Sequence, residues 1–79
     1  MACMAYLSLQ GSAVAAGTAQ GDVAALDAAQ AVWRAEAAKS YSQDELAQFF
    51  ASSVAVFDDT PAEELAAEAA TCLSTAPAP

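Results

Sequence analysis

The sequence predicts an all-α protein, a small three- or four-helix bundle that is most simply a four-helix bundle in up-down-up-down order, stapled by one disulfide. Alanine, the strongest helix former, supplies 24 of the 79 residues. Apolar side chains recur at helical spacing in four segments, and capping or helix-breaking residues separate these segments. Because the links are short, consecutive helices should run antiparallel within a single domain covering 1–79.

The first two helices are expected over about 2–16 and 22–39. A stretch that begins at Gly17 separates the two helices by a turn, because glycine tolerates turn conformations that other residues avoid. Asp22 can cap the second helix by accepting a hydrogen bond from a free amide of its first turn. Lys39 suits the partial negative charge at the end of the same helix.

The third helix, over 43–57, has the clearest start signal. Ser42 and Glu45 have the spacing of a capping box, in which each side chain accepts a hydrogen bond from the other residue's backbone amide. Three phenylalanines follow at helical spacing, so this helix should contribute the most apolar side-chain area to the core and be the most buried element. Its apolar stripe consists of Leu46, Phe49, Phe50, Ser53, Val54 and Phe57.

The fourth helix is expected over 61–75, followed by a tail over 76–79. Thr60 and Glu63 form a second potential capping box, with Pro61 at the first helical position. The expected inner stripe is Leu65, Ala69, Cys72, Leu73 and Ala76.

The larger apolar side chains are the candidates for a core or a partner-binding face. Trp33 continues the stripe of the second helix, which favours a core position, although tryptophan is also enriched at binding sites. Tyr6 and Tyr41 are alternative markers of an exposed contact patch. The full candidate set is Trp33, Leu46, Phe49, Phe50, Val54, Phe57, Leu65 and Leu73.

Cys3 and Cys72 are the only cysteines. In the expected topology the start of the first helix and the end of the fourth lie at the same end of the bundle, so the two thiols could meet. A disulfide closing so long a loop contributes about 4 kcal/mol in the chain-entropy model. It would indicate a periplasmic or otherwise exported protein, whereas two free buried thiols would indicate the cytoplasm.

Charge and hydropathy exclude several functions. Ten acidic residues against two basic ones give a net charge of −8, which repels nucleic acid and anionic membrane surfaces. No stretch approaches the roughly 20 consecutive apolar residues that a membrane-spanning helix needs. We therefore expect neither nucleic-acid binding nor membrane insertion.

The sequence also lacks the residues of familiar catalytic sites. It contains no histidine, no Cys-x-x-Cys, no glycine-rich phosphate loop and no G-x-S-x-G motif. The acidic run Asp58, Asp59, Glu63 and Glu64 is the best candidate for a hard cation, but it does not match an EF-hand loop. We expect no enzymatic activity, no cofactor and no specific metal site.

The leading functional hypothesis is a small accessory module that packs a helix face on a larger protein partner, with self-association left open. In overall format, a small helical domain with one disulfide, the chain resembles the acid-stress chaperones of the bacterial periplasm. That resemblance implies a holdase in which acid loosens the bundle and exposes Phe49, Phe50 and Phe57. A third hypothesis is an acidic inhibitor that occupies a basic groove of another protein.

Overall fold

The structure, a computed structural model, describes residues 2–77. Within this range it contains four α-helices and no strand, so the predicted all-α bundle is confirmed. The expected C-terminal tail over 76–79 is described only as far as Pro77, and its last two residues lie outside the described part. The helices are α1 (Ala2–Ala15), α2 (Val23–Ala37), α3 (Gln43–Phe57) and α4 (Ala62–Ser74).

Helix α1 lies at the centre of the bundle. It packs against α2, α3 and α4, and α2 and α4 also contact each other, whereas α3 packs chiefly on α1. The expectation that α3 would be the most buried element is therefore wrong. Leu46 is the only fully buried residue of α3, whereas α1 buries five: Met4, Ala5, Leu7, Gln10 and Gly11.

The central position of α1 follows from its composition. The first charged residue of the chain is Asp22, so α1 carries no charge on any side and can be surrounded by other helices. Helix α3 carries Asp44 and Glu45 in its first turn and polar serine and glutamine side chains farther along. Burying α3 on several sides would desolvate these groups, and it packs on one side instead.

The core is built from few large side chains. Leu7 is the largest side chain that is almost wholly buried, with 1% of its surface exposed. Small residues from α2 and α4 surround it, and they let the helices approach closely. The buried cluster is Leu7, Leu26, Ala29, Ala69 and Cys72, with Cys3, Tyr6, Val14 and Trp33 packed against it.

The predicted pairing of the two cysteines is also confirmed. The sulfur atoms of Cys3 and Cys72 lie at disulfide-bonding distance, with their Cα atoms 5.4 Å apart. The pair joins the start of α1 to the end of α4. Trp33 braces the same end of the bundle, because its indole Nε1–H donates a hydrogen bond to the Cys72 carbonyl oxygen at 3.0 Å.

Gly17 ends α1 in the manner expected. It adopts a left-handed φ of 80°, and its amide donates to the Val14 carbonyl at 3.1 Å. The Thr18 amide donates to the Ala13 carbonyl at 2.9 Å. These two bonds satisfy carbonyl groups at the end of the helix, a Schellman arrangement that favours glycine at the left-handed position.

The capping residues predicted for α2 and α3 are confirmed. The Asp22 carboxylate accepts a hydrogen bond from the Ala24 amide at 3.0 Å. Ser42 and Glu45 form a complete capping box, with both reciprocal bonds present at 3.1 and 3.2 Å.

Two details at helix ends differ from expectation. Helix α2 ends at Ala37, so Lys39 lies in the following turn, where it pairs with Glu36 at 2.8 Å. The predicted capping box at Thr60 does not form: Pro61 occupies the N-cap position, and no side chain caps α4. Helix α4 therefore starts one residue later than expected: the Leu65 amide donates to the Pro61 carbonyl, and Thr60 lies one position too far back to cap the first turn.

Candidate protein-binding surface

The residues predicted for a core or partner face divide into three groups. Leu46 is fully buried. Phe49 and Leu73 are each 39% exposed, so the expectation that they belong to the inner stripes of α3 and α4 is wrong. Both helices rest chiefly on α1, which covers only one side of each. The other candidates are partly buried: Trp33, Phe50, Val54, Phe57 and Leu65.

An aromatic pair stands on the exposed side of α3. Tyr41, in the link before the helix, is 44% exposed, and its ring meets that of Phe49 at 5.3 Å in an edge-to-face arrangement. Val56, which is 72% exposed, follows Phe49 by seven residues and therefore lies on the same side of the helix. We call the surface formed by Tyr41, Phe49 and Val56 the aromatic flank.

Carboxylates lie at both ends of α3. Asp44 and Glu45 are exposed in its first turn, and Asp58 and Asp59 are exposed directly after its last residue. An apolar strip with a charged border is the common anatomy of a protein-binding surface. The charge at the ends of α3 is negative, so it complements a basic rim.

A groove opens where α3 faces α1 and α2, and no residue of the aromatic flank lines it. Its volume is about 350 Å³. Met4, Leu46, Ala47 and Phe50 supply its apolar lining. Gln43 and Arg34 supply its polar groups, and we call this space the Arg34 groove.

A second, smaller groove of about 230 Å³ lies between α1, α2 and α4. Leu26, Leu73 and several alanines line it, together with the Gln10 side chain. Gln10 is only 6% exposed and makes no side-chain hydrogen bond to any group within residues 2–77.

Tyr6 has a structural role at the contact between α1 and α3. Its ring packs on that of Phe57 with centroids 4.5 Å apart. Burial raises the pKa of the Tyr6 phenol above its usual value of 10.0, and the negative charges of Glu68 and Glu64 raise it further. The Tyr6 phenol therefore stays neutral, and its ring helps to pack α1 against α3. Tyr41 is the more exposed of the two tyrosines.

The carboxylates are arranged as a solvated surface. Of the ten, Glu68 alone is partly buried, and the other nine are exposed. Within residues 2–77, no three acidic or cysteine side chains come close enough together to hold a metal ion. No helix in the same range is long and apolar enough to cross a bilayer.

Sequence reasoning missed two parts of these surfaces. Val56 falls outside the apolar stripe of α3, and that irregularity was the available signal that it faces solvent. The Arg34 groove had no such signal, because its residues come from three helices and the space depends on how the helices pack. Tyr41, in contrast, was an explicit candidate for an exposed contact.

Comparison with known proteins identifies no relative. The chain matches no protein-family model, and no curated protein or solved structure shows significant similarity to it.

Proposed function

We propose that this protein is a non-enzymatic interaction module that binds a larger protein partner through the aromatic flank of α3. The observation that carries the proposal is the exposed edge-to-face pair of Tyr41 and Phe49. The exposed parts of Tyr41, Phe49 and Val56 cost free energy in water that a partner's apolar surface would recover. Aromatic residues of this kind dominate the binding energy of many protein interfaces.

The charge around the flank supports a partner with a basic rim. Asp44, Glu45, Asp58 and Asp59 are exposed at the two ends of α3, and the whole chain carries a net charge of −8. Such charge steers association with a positively charged surface, and its effect weakens as salt screens it. Binding should therefore become slower and weaker at high ionic strength.

The lack of catalytic activity belongs to the same proposal. With no histidine, acid-base chemistry would depend on carboxylates, and nine of the ten are exposed to water. The proximity of Cys3 and Cys72 supports an exported location, since disulfides persist in oxidising compartments.

The two alternative functions have less support. The single salt bridge within residues 2–77 joins Glu36, near the end of α2, to Lys39 in the following turn. This pair is exposed and contributes little to stability, so its loss in acid would not open the core. An acid-triggered holdase would need ion pairs that hold the bundle closed more strongly than this one. An inhibitor of a basic groove would need a dense acidic face, whereas the carboxylates here are spread over α2, α3 and α4.

Site-specific photo-crosslinking in the native host would test the proposal. A photoreactive residue at Val56 should link to one partner protein, and the same residue at exposed Ala28 on α2 should not. Cross-links to a second copy alone would replace the larger partner with self-association. Equal labelling from both positions would contradict a binding role for the flank.

Affinity measurements with the purified partner would then assign the contacts. Phe49→Ala and Tyr41→Ala should each weaken binding at least about tenfold, as expected for aromatic anchors. Leu73→Ala is a matched control, because Leu73 is apolar and exposed to the same 39% but lies on α4. A loss of affinity in this control equal to that of Phe49→Ala would place the interface elsewhere.

A further inference from the structure

We propose that the Arg34 groove binds a medium-chain aliphatic carboxylate, with the hydrocarbon tail on the apolar lining and the carboxylate on the Arg34 guanidinium. This site is separate from the aromatic flank, because none of Tyr41, Phe49 and Val56 lines the groove. The proposal therefore stands whether or not the flank binds a protein.

The lining suits a hydrocarbon chain. Met4 and Leu46 form a buried floor, Phe50 is partly buried beside them, and the small side chain of Ala47 leaves the space open. A volume of about 350 Å³ lies near the lower end of the range for small-molecule pockets. The groove therefore has room for a short aliphatic ligand.

The chemistry at the rim selects the head group. Arg34 makes no salt bridge within residues 2–77, although the chain carries ten carboxylates, and the other cation, Lys39, is paired with Glu36. A guanidinium matches a carboxylate through two parallel hydrogen bonds. Gln43, also at the rim, can donate a further hydrogen bond from its amide.

Charge complementarity also disfavours other small amphiphiles. An alkylamine would place a second positive charge beside Arg34, and an alcohol would lose the charge-assisted bond. An alkyl phosphate would bring up to two negative charges to a rim with one guanidinium in a strongly acidic protein. A single carboxylate on an apolar tail best fits the guanidinium at this rim, which makes no ion pair among residues 2–77.

Titration of the full, oxidised chain with octanoate would test the site, using calorimetry and the NMR signals of Met4 and Arg34. Octanoate should bind and shift both signals, whereas octanol should bind about tenfold more weakly and octylamine more weakly still. No octanoate binding below its micelle concentration would overturn the proposal, as would equal binding of the three ligands.

Three variants would localise the binding. Arg34→Gln should weaken octanoate binding about tenfold, and Ala47→Leu should abolish it by filling the groove. Lys39→Gln is the matched control, because it removes the same charge outside the groove and should leave affinity unchanged. If Lys39→Gln weakens binding as much as Arg34→Gln does, the effect is one of net charge and the site is wrong.

Discussion

Helices α1 and α3 have nearly the same length, 14 and 15 residues, but they have opposite roles in the bundle. Helix α1 contacts all three other helices, while α3 rests chiefly on α1. Three phenylalanines did not make α3 the central helix. In this bundle, the helix that takes the central position is the one without charge on any side. The number of large side chains on one face of a helix does not decide that position.

The difference also divides the functions of the molecule. In the functions that we propose, the central helix and its bond to α4 supply stability, and the peripheral helix supplies the larger part of the binding surfaces. Four measurements would test this division.

Loss of the disulfide should have the largest effect, because it anchors the central helix to α4. Replacing Cys3 and Cys72 with serine should lower the free energy of unfolding by about 4 kcal/mol, since the loop closed by the bond spans most of the chain. Urea denaturation of the variant and the wild type would measure this change. An unchanged urea midpoint would mean that α1 and α4 hold together without the bond.

Truncation of one side chain in each helix would compare them directly. Leu7→Ala should cost about 3 kcal/mol, because it opens a cavity around a side chain that is 99% buried. Phe49→Ala should cost less than about 1 kcal/mol, because that ring is substantially exposed. Equal costs in urea denaturation would show that α3 contributes to the core as much as α1 does.

Removal of the α3 cap would test whether this helix opens on its own. Ser42→Ala should destabilise the start of α3 by about 1 kcal/mol, because the Glu45 amide loses its hydrogen-bond acceptor. Hydrogen exchange should become faster in α3 and stay slow in the middle of α1. Uniformly faster exchange would indicate that the two helices unfold together.

The smallest effect concerns Tyr6, which packs against the buried cluster and against the Phe57 ring. Its raised pKa means that the folded state holds the phenol proton more tightly than the unfolded state, so stability is retained below pH 10 and falls as the phenol ionises above it. In a Tyr41→Phe background, phenolate absorbance should report this raised pKa. Glu68→Gln should lower it.

Glu63→Gln provides the control for that titration. Glu63 lies on the same helix but is not one of the carboxylates that raise the pKa of Tyr6. A Tyr6 pKa equally sensitive to both substitutions would indicate general charge rather than the local field of Glu68.

Local sequence signals predicted most helix starts well, whereas the way in which the helices pack together was harder to predict. Asp22 and Ser42 act within three residues of themselves, so the sequence pattern contained both caps in full. The cysteine pairing followed from helix order alone. The predicted cap at Thr60 was wrong because α4 begins one residue later than the pattern indicates, with Pro61 at the N-cap position.

Other features depended on which helix occupies the centre. The exposure of Phe49 and the position of Arg34 beside a groove both result from α3 packing on one side, which the periodicity of α3 alone does not specify. The one relevant signal lay in another helix, in the absence of charge before Asp22.

The bond between Cys3 and Cys72 gives most of the chain the topology of a ring. All three interhelical links lie inside it, so a single proteolytic cut in any of them leaves the two pieces covalently joined. A nicked molecule would keep its size on a gel run without reductant and separate into fragments only when reductant is added. In a protease-rich environment, the protein could therefore lose the continuity of its backbone and still remain one molecule.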